Sequence, residues 1–159
     1  MGRYTKTSTI ILVSILLLIF ITSTSVSGAI EENCALSAQY RLFSQQLFVS
    51  VQPSLYAYYS NMTHAIPNDR DYSKLVTPQA VQTIAQSILE ITHNMPYSDE
   101  QFANAVLAIV HQIPYNITGA KYPVETLIDN CGDCGSLSLL AASIMKAGGL
   151  DVVLIKYTG

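Results

Sequence analysis

One segment near the C-terminal end constrains the fold more than any other. The run Asn130-Cys131-Gly132-Asp133-Cys134-Gly135 is a glycine-rich turn, and an amphipathic stretch follows it directly. Leu137, Leu140, Ala141 and Ile144 fall on one helical face, so the spacing predicts a helix over about Cys134 to Ala147. Gly148 and Gly149 stop it, one of them in the left-handed conformation that helix ends favour. Leu150 to Tyr157 is then rich in Val, Leu and Ile and reads as a buried strand. One strand cannot form a sheet, so a strand this apolar needs partners. None is evident before residue 159, which raises the expectation that the domain is incomplete. The expected class is therefore α+β. Its notable feature is a thiol, Cys134, at the start of a helix, where free N–H groups and the positive dipole end favour a thiolate.

Upstream, the pattern reads as helical. Leu36, Tyr40, Phe43, Leu47 and Val51 are spaced by four, three, four and four residues, a single helix face, and Pro53 is expected to break or kink that helix. Tyr56-Ala57-Tyr58-Tyr59 is ambiguous. Asn61 to Thr77, with Pro67, Asn68, Asp69 and Asp71, reads as a surface loop. Thr77-Pro78 looks like a helix cap with proline at the first helical position, and Val81, Ile84, Ala85 and Ile88 form the buried face of a helix ending near Asn94. Ser98 and Gln101 suit a capping box. Phe102, Val106, Ile109, Val110 and Ile113 line the next helix, which Pro114 closes. Residues 115–130 read as irregular.

The first thirty residues have a different character. Arg3 and Lys6 precede an apolar run from Ile10 to Ile21, broken only by Ser14, and small residues ending in Ser27-Gly28-Ala29 follow. This is the layout of a secretory signal. Residues 9–29 are also just long enough to act as an uncleaved membrane anchor. Both readings of 1–29 place the remainder outside the cytoplasm. Without Arg3 and Lys6, six of the eight basic residues remain against eleven acidic ones. That balance leaves no basic footprint, so nucleic acid is not an expected partner. Asn61-Met62-Thr63 and Asn116-Ile117-Thr118 are glycosylation tripeptides, a weak signal by themselves.

With these elements in view, the C-terminal block resembles the transglutaminase-like superfamily, in its exported or membrane-anchored prokaryotic branch. The residues that carry the resemblance are Val110-His111-Gln112-Ile113-Pro114-Tyr115, Tyr122-Pro123-Val124-Glu125-Thr126-Leu127, Gly132-Asp133-Cys134, Leu139 to Gly149 and Val152-Val153-Leu154-Ile155. It divides the chain into a leader (1–29), a helical N-terminal region (30–97) and a partial transglutaminase-like core (98–159). The resemblance implies a papain/transglutaminase-like α+β fold, here its helical half plus the first core strand with the sheet incomplete. It also implies a cysteine hydrolase or acyltransferase acting on protein or peptide amides through a thioester, with no cofactor. It gives Cys134 the role of nucleophile. The histidine and aspartate that such enzymes carry on following strands are expected after Gly159, so the resemblance implies that the chain as it stands is inactive. Gly135 departs from the acidic residue often found after the cysteine.

Each candidate has a plainer reading. Cys134 could simply pack a helix start, and His64, His93 and His111 read more simply as surface or capping residues than as a base. Cys131 makes a C-x-x-C spacing with Cys134. That spacing leaves open a redox pair, a zinc site sharing Cys34 and a histidine, and a Cys34–Cys131 disulfide suited to an exported chain. Asp133 more simply stabilises the turn or helix start, and Tyr56, Tyr58 and Tyr59 are more simply packing. The alternative to an enzyme is a non-catalytic exported binding or structural domain that keeps part of the fold.

Overall fold

A computed structural model describes residues 36–156. Their architecture is mixed α+β: a hairpin followed by five α-helices, with two 3-10 segments between the first and second. Residues 1–29, expected to form a leader or anchor, and Cys34 lie outside the described residues. Among the described residues no helix is long and apolar enough to cross a membrane.

The chain from 36 to 51 is a two-stranded antiparallel hairpin, where the spacing predicts a helix. Strand β1 (Leu36–Leu42) pairs with β2 (Gln45–Val51), Tyr40 opposite Leu47 and Leu42 opposite Gln45. Two periodicities coexist in this stretch, and the strand period is the one that burial obeys. Tyr40, Leu42, Leu47, Val49 and Val51 are buried, every second residue on each strand, while Phe43 and Phe48 stand 55% and 66% exposed. Phe43, one of the helical-face residues, instead sits in the two-residue turn with φ 53°. Val49 and Val51, β-branched and alternating with Ser50, favour the pleated surface.

The hairpin is fastened to the helices by two polar contacts. The buried Tyr40 hydroxyl donates to the Leu127 carbonyl at 2.6 Å. Gln112 acts as a short strand substitute: its amide oxygen accepts from Arg41 N, and its Nε2 donates to Arg41 O, both at 2.7 Å. These bonds partner polar backbone on a sheet edge that would otherwise stay open.

Pro53 begins a helix where a break is expected. Helix α1 (Pro53–Ser60) carries it at the first turn, where its missing N–H costs nothing. The expected loop contains a 3-10 segment, Asp69–Leu75, and Pro78–Val81 forms a second that leads into α2 (Gln82–Thr92). Helix α3 (Ser98–Val110) starts without the expected capping box. Ser98 is its first helical residue, and Tyr97 before it is left-handed. The stretch 115–130 is not wholly irregular, since it holds α4 (Pro123–Asp129), closed by left-handed Asn130. Pro123 at the first position and Glu125 two residues on were legible start signals.

Helix α5 (Cys134–Ala147) has the predicted bounds. It packs against α2, α3, α4 and the Pro78–Val81 segment. Leu139, Leu140, Ala142, Ser143 and Ile144 are all buried, so its inner face is wider than the Leu137/Leu140/Ala141/Ile144 stripe. Its end depends on glycine. A β-carbon at Gly148 would lie 2.1 Å from the Phe102 ring, and Gly149 has φ +94°. The expected strand from 150 is not formed among the described residues. Residues 150–156 carry no regular structure, and Val153 and Ile155 are 81% and 71% exposed. The hairpin and helices share one apolar core, in which Tyr40 and Leu42 join Ile88, Phe102, Ile109, Leu140 and Ile144.

Candidate functional site

Cys134 is the first residue of α5, carries a free thiol and is exposed. The sequence builds this position in three steps. Asp133 is extended (φ −83°, ψ 179°), and its carboxylate accepts from Ser136 N at 2.8 Å. This occupies one of the orphan N–H groups of the first turn. Ser136, fully buried, then ties the preceding loop to the helix: its hydroxyl donates to Gly119 O at 3.0 Å and accepts from Lys121 N at 3.1 Å. Finally, Gly132 forms a parallel bridge with Tyr115, with Asn116 N donating to Gly132 O at 2.9 Å. The turn before the thiol is thus held at both ends.

The thiol opens on a cavity of about 470 Å3, within the range of small-molecule sites. Tyr72 forms one wall, from the Asp69–Leu75 segment that the sequence reads as loop. Leu154 to Lys156 form the other, and Lys156 Nζ forms an ion pair with Asp69 across the opening. Tyr72, Asp69 and Lys156 escape a sequence reading. They come from segments about sixty residues before and twenty after Cys134, and no local pattern links them.

The histidines are placed elsewhere, and none of the three lines this cavity. His64 Nε2 lies 2.7 Å from the Glu125 carboxylate, and its ring meets Tyr122 edge-on at 5.3 Å. Glu125 also accepts from Tyr122 N at 2.9 Å, so this acid both starts α4 and anchors the loop carrying His64. His93 Nδ1 pairs with Glu90 O at 2.9 Å, at the end of α2, and His111 is exposed at the end of α3. The tyrosines pack: Tyr58 on Tyr59, and Tyr59 on Tyr122, each at 5.1 Å. Tyr56 instead donates to Asp129 at 2.7 Å, a contact that raises its phenol above the usual range.

Cys131 has a different environment. It is half-buried with a free thiol and does not line the cavity. Lys121 Nζ lies 3.5 Å from its sulfur and 2.6 Å from Asp129 Oδ2. Burial works against the Lys121 charge, but Asp129 and Cys131 more than offset it, and the ammonium is held above the ordinary lysine range. Cys131 and Cys134, the two ends of the C-x-x-C spacing, are both free thiols in this structure. Among the described residues no three His, Cys, Asp or Glu side chains gather closely enough to hold a metal ion.

No protein-family model, curated protein or solved structure matches this chain.

Proposed function

We propose that Cys134 is the nucleophile of a transglutaminase-like cysteine hydrolase or acyltransferase, and that residues 36–156 carry the helical part of its papain/transglutaminase-like α+β core. The observation that supports the reading most is the pairing of exposure with pre-organisation. The thiol stands at the first residue of a 14-residue helix whose start is capped by Asp133, and it faces a cavity rather than the core. In this reading the Cys134 thiolate attacks the carbonyl carbon of a protein or peptide carboxamide. In the same reading the Cys134 backbone N–H donates to the developing oxyanion, and a thioester forms as the amine leaves. An amide nitrogen leaves only once protonated, and no histidine among the described residues reaches the cavity. The reading therefore gives the role of base to none of His64, His93 and His111, and holds that the 159 residues alone are acylated but do not turn over amides.

The test follows from leaving-group chemistry. A p-nitrophenyl ester expels phenolate without an acid, so the 159-residue chain is expected to accumulate one acyl group on Cys134, mapped by peptide mass. It is expected to hydrolyse or transfer no peptide amide. Acylation confined to Cys131, or robust amide turnover that survives Cys134→Ala, would overturn the proposal. The non-catalytic binding domain is favoured if Cys134 is no more reactive than a thiol in an unfolded peptide.

A further inference from the structure

The wall opposite the Cys134 segment gives the site a chemical preference. Tyr72 leans over Gly135, the residue after the nucleophile: a β-carbon built there would lie 3.4 Å from Tyr72 Cε1 and 3.9 Å from its hydroxyl. That is ordinary contact, so the ring already closes the space in which a longer side chain at 135 would stand. The sequence puzzle at Gly135 has a physical consequence: the absent side chain admits the aromatic wall beside the thiol. The remaining cavity surface is largely apolar, with Leu139, Leu154 and Ile155. Its charges are already engaged. Lys156 is paired with Asp69, and the Asp133 carboxylate caps α5 through Ser136 N. Among the described residues lining this cavity no unpaired cation is left to receive an anionic group, and Asp133 directly precedes the thiol in sequence.

We infer that the acyl group delivered to Cys134 is uncharged and carries a flat or aromatic side chain that packs against the Tyr72 ring, making Tyr72 the specificity-determining residue of the site. This rests on Cys134 being the nucleophile, but it concerns what the cavity accepts rather than whether turnover follows. Contact with an aromatic face contributes enough to change a rate roughly three- to tenfold.

The probes are four alkylating reagents: iodoacetamide, N-benzyl iodoacetamide, iodoacetate and 2-bromoethylamine. Second-order rates at Cys134 are read by peptide mapping and divided by the rate of each reagent with free cysteine. N-benzyl iodoacetamide is expected to gain roughly three- to tenfold over iodoacetamide, with iodoacetate the slowest of the four. Tyr72→Phe keeps the gain because the ring remains, whereas Tyr72→Leu, which keeps an apolar side chain against Leu75 and Leu139 but no ring, removes it. Gly135→Gln, which fills the space beneath the ring, removes it as well. A gain that survives Tyr72→Leu, no gain at all, or preference for the charged reagents would overturn the inference. The two readings fail separately. Ester acylation of Cys134 without aromatic preference leaves the nucleophile standing and removes the Tyr72 subsite. An aromatic gain without ester acylation shows an aromatic-binding wall at Tyr72 but removes the nucleophile, and with it the inference about the acyl group.

Discussion

The two ends of the core are built to opposite purposes. At the start of α5 the chain exposes its reactive group: Cys134 stands in solvent, while the polar atoms beneath it are bonded through Asp133 and Ser136. At the hairpin the chain buries its polar group: the Tyr40 hydroxyl lies under the sheet, spent on one carbonyl of α4. The first region risks little stability at its exposed thiol and keeps chemistry available. The second contributes packing and offers no chemistry. Substitutions should therefore separate cleanly, with hairpin and core changes lowering stability and changes at Cys134 altering reactivity.

The largest expected effect is at the far end of α5. Gly148→Ala forces a β-carbon into the Phe102 ring and should cost about 2–3 kcal/mol, read as a lower denaturant midpoint. An unchanged midpoint would show that the ring moves aside freely. Tyr40→Phe comes next. It keeps the ring but strands the Leu127 carbonyl in the core, and chemical denaturation should show a loss of about 1–2 kcal/mol. Asp133→Ala should cost about 1 kcal/mol through the lost cap. Because the turn before the thiol loosens with it, this variant should also change the labelling rate of Cys134. A stability loss with no change in labelling would sever the link between cap and thiol. Cys134→Ala should shift stability by less than about 0.5 kcal/mol while abolishing acylation. A large destabilisation would mean that the thiol packs the helix start and is not poised for attack.

The hairpin also carries a pH signature. Burial pushes the Tyr40 phenol well above its usual value of 10.0. The folded state therefore favours the protonated phenol, while the unfolded chain ionises near 10. The stabilisation is complete below about pH 10 and declines as the pH rises from there. Alkaline unfolding monitored by circular dichroism should begin above that value in the wild type, and the Tyr40→Phe variant should lose this component of the curve.

The same comparison shows where the sequence is legible. For α5, three independent signals agree: a capping aspartate, an apolar stripe and paired glycines. Its bounds follow from local chemistry. In the hairpin a single signal, apolar spacing, fits both a helix and a strand. The residues that decide between them, Phe43 and Phe48, are apolar but exposed. Helix α4 lay between these cases, since Pro123 and Glu125 announced it within a segment of glycine and tyrosine. The strand expected after Gly149 shows the limit of composition. Apolar content gives a segment its strand propensity, but ladder formation needs a neighbour. The described residues give this segment an ion pair to Asp69 and no ladder.

By itself the sequence determined that Cys134 begins a helix, because caps and periodicity act within a few residues and need no distant partner. Tertiary structure decided what surrounds that thiol. Tyr72, Asp69 and Lys156 meet it only after the chain has folded, and the three histidines are held elsewhere by Glu125, by the end of α2 and by the end of α3. Contacts across many tens of residues depend on which faces the core buries, and no short-range pattern encodes that choice.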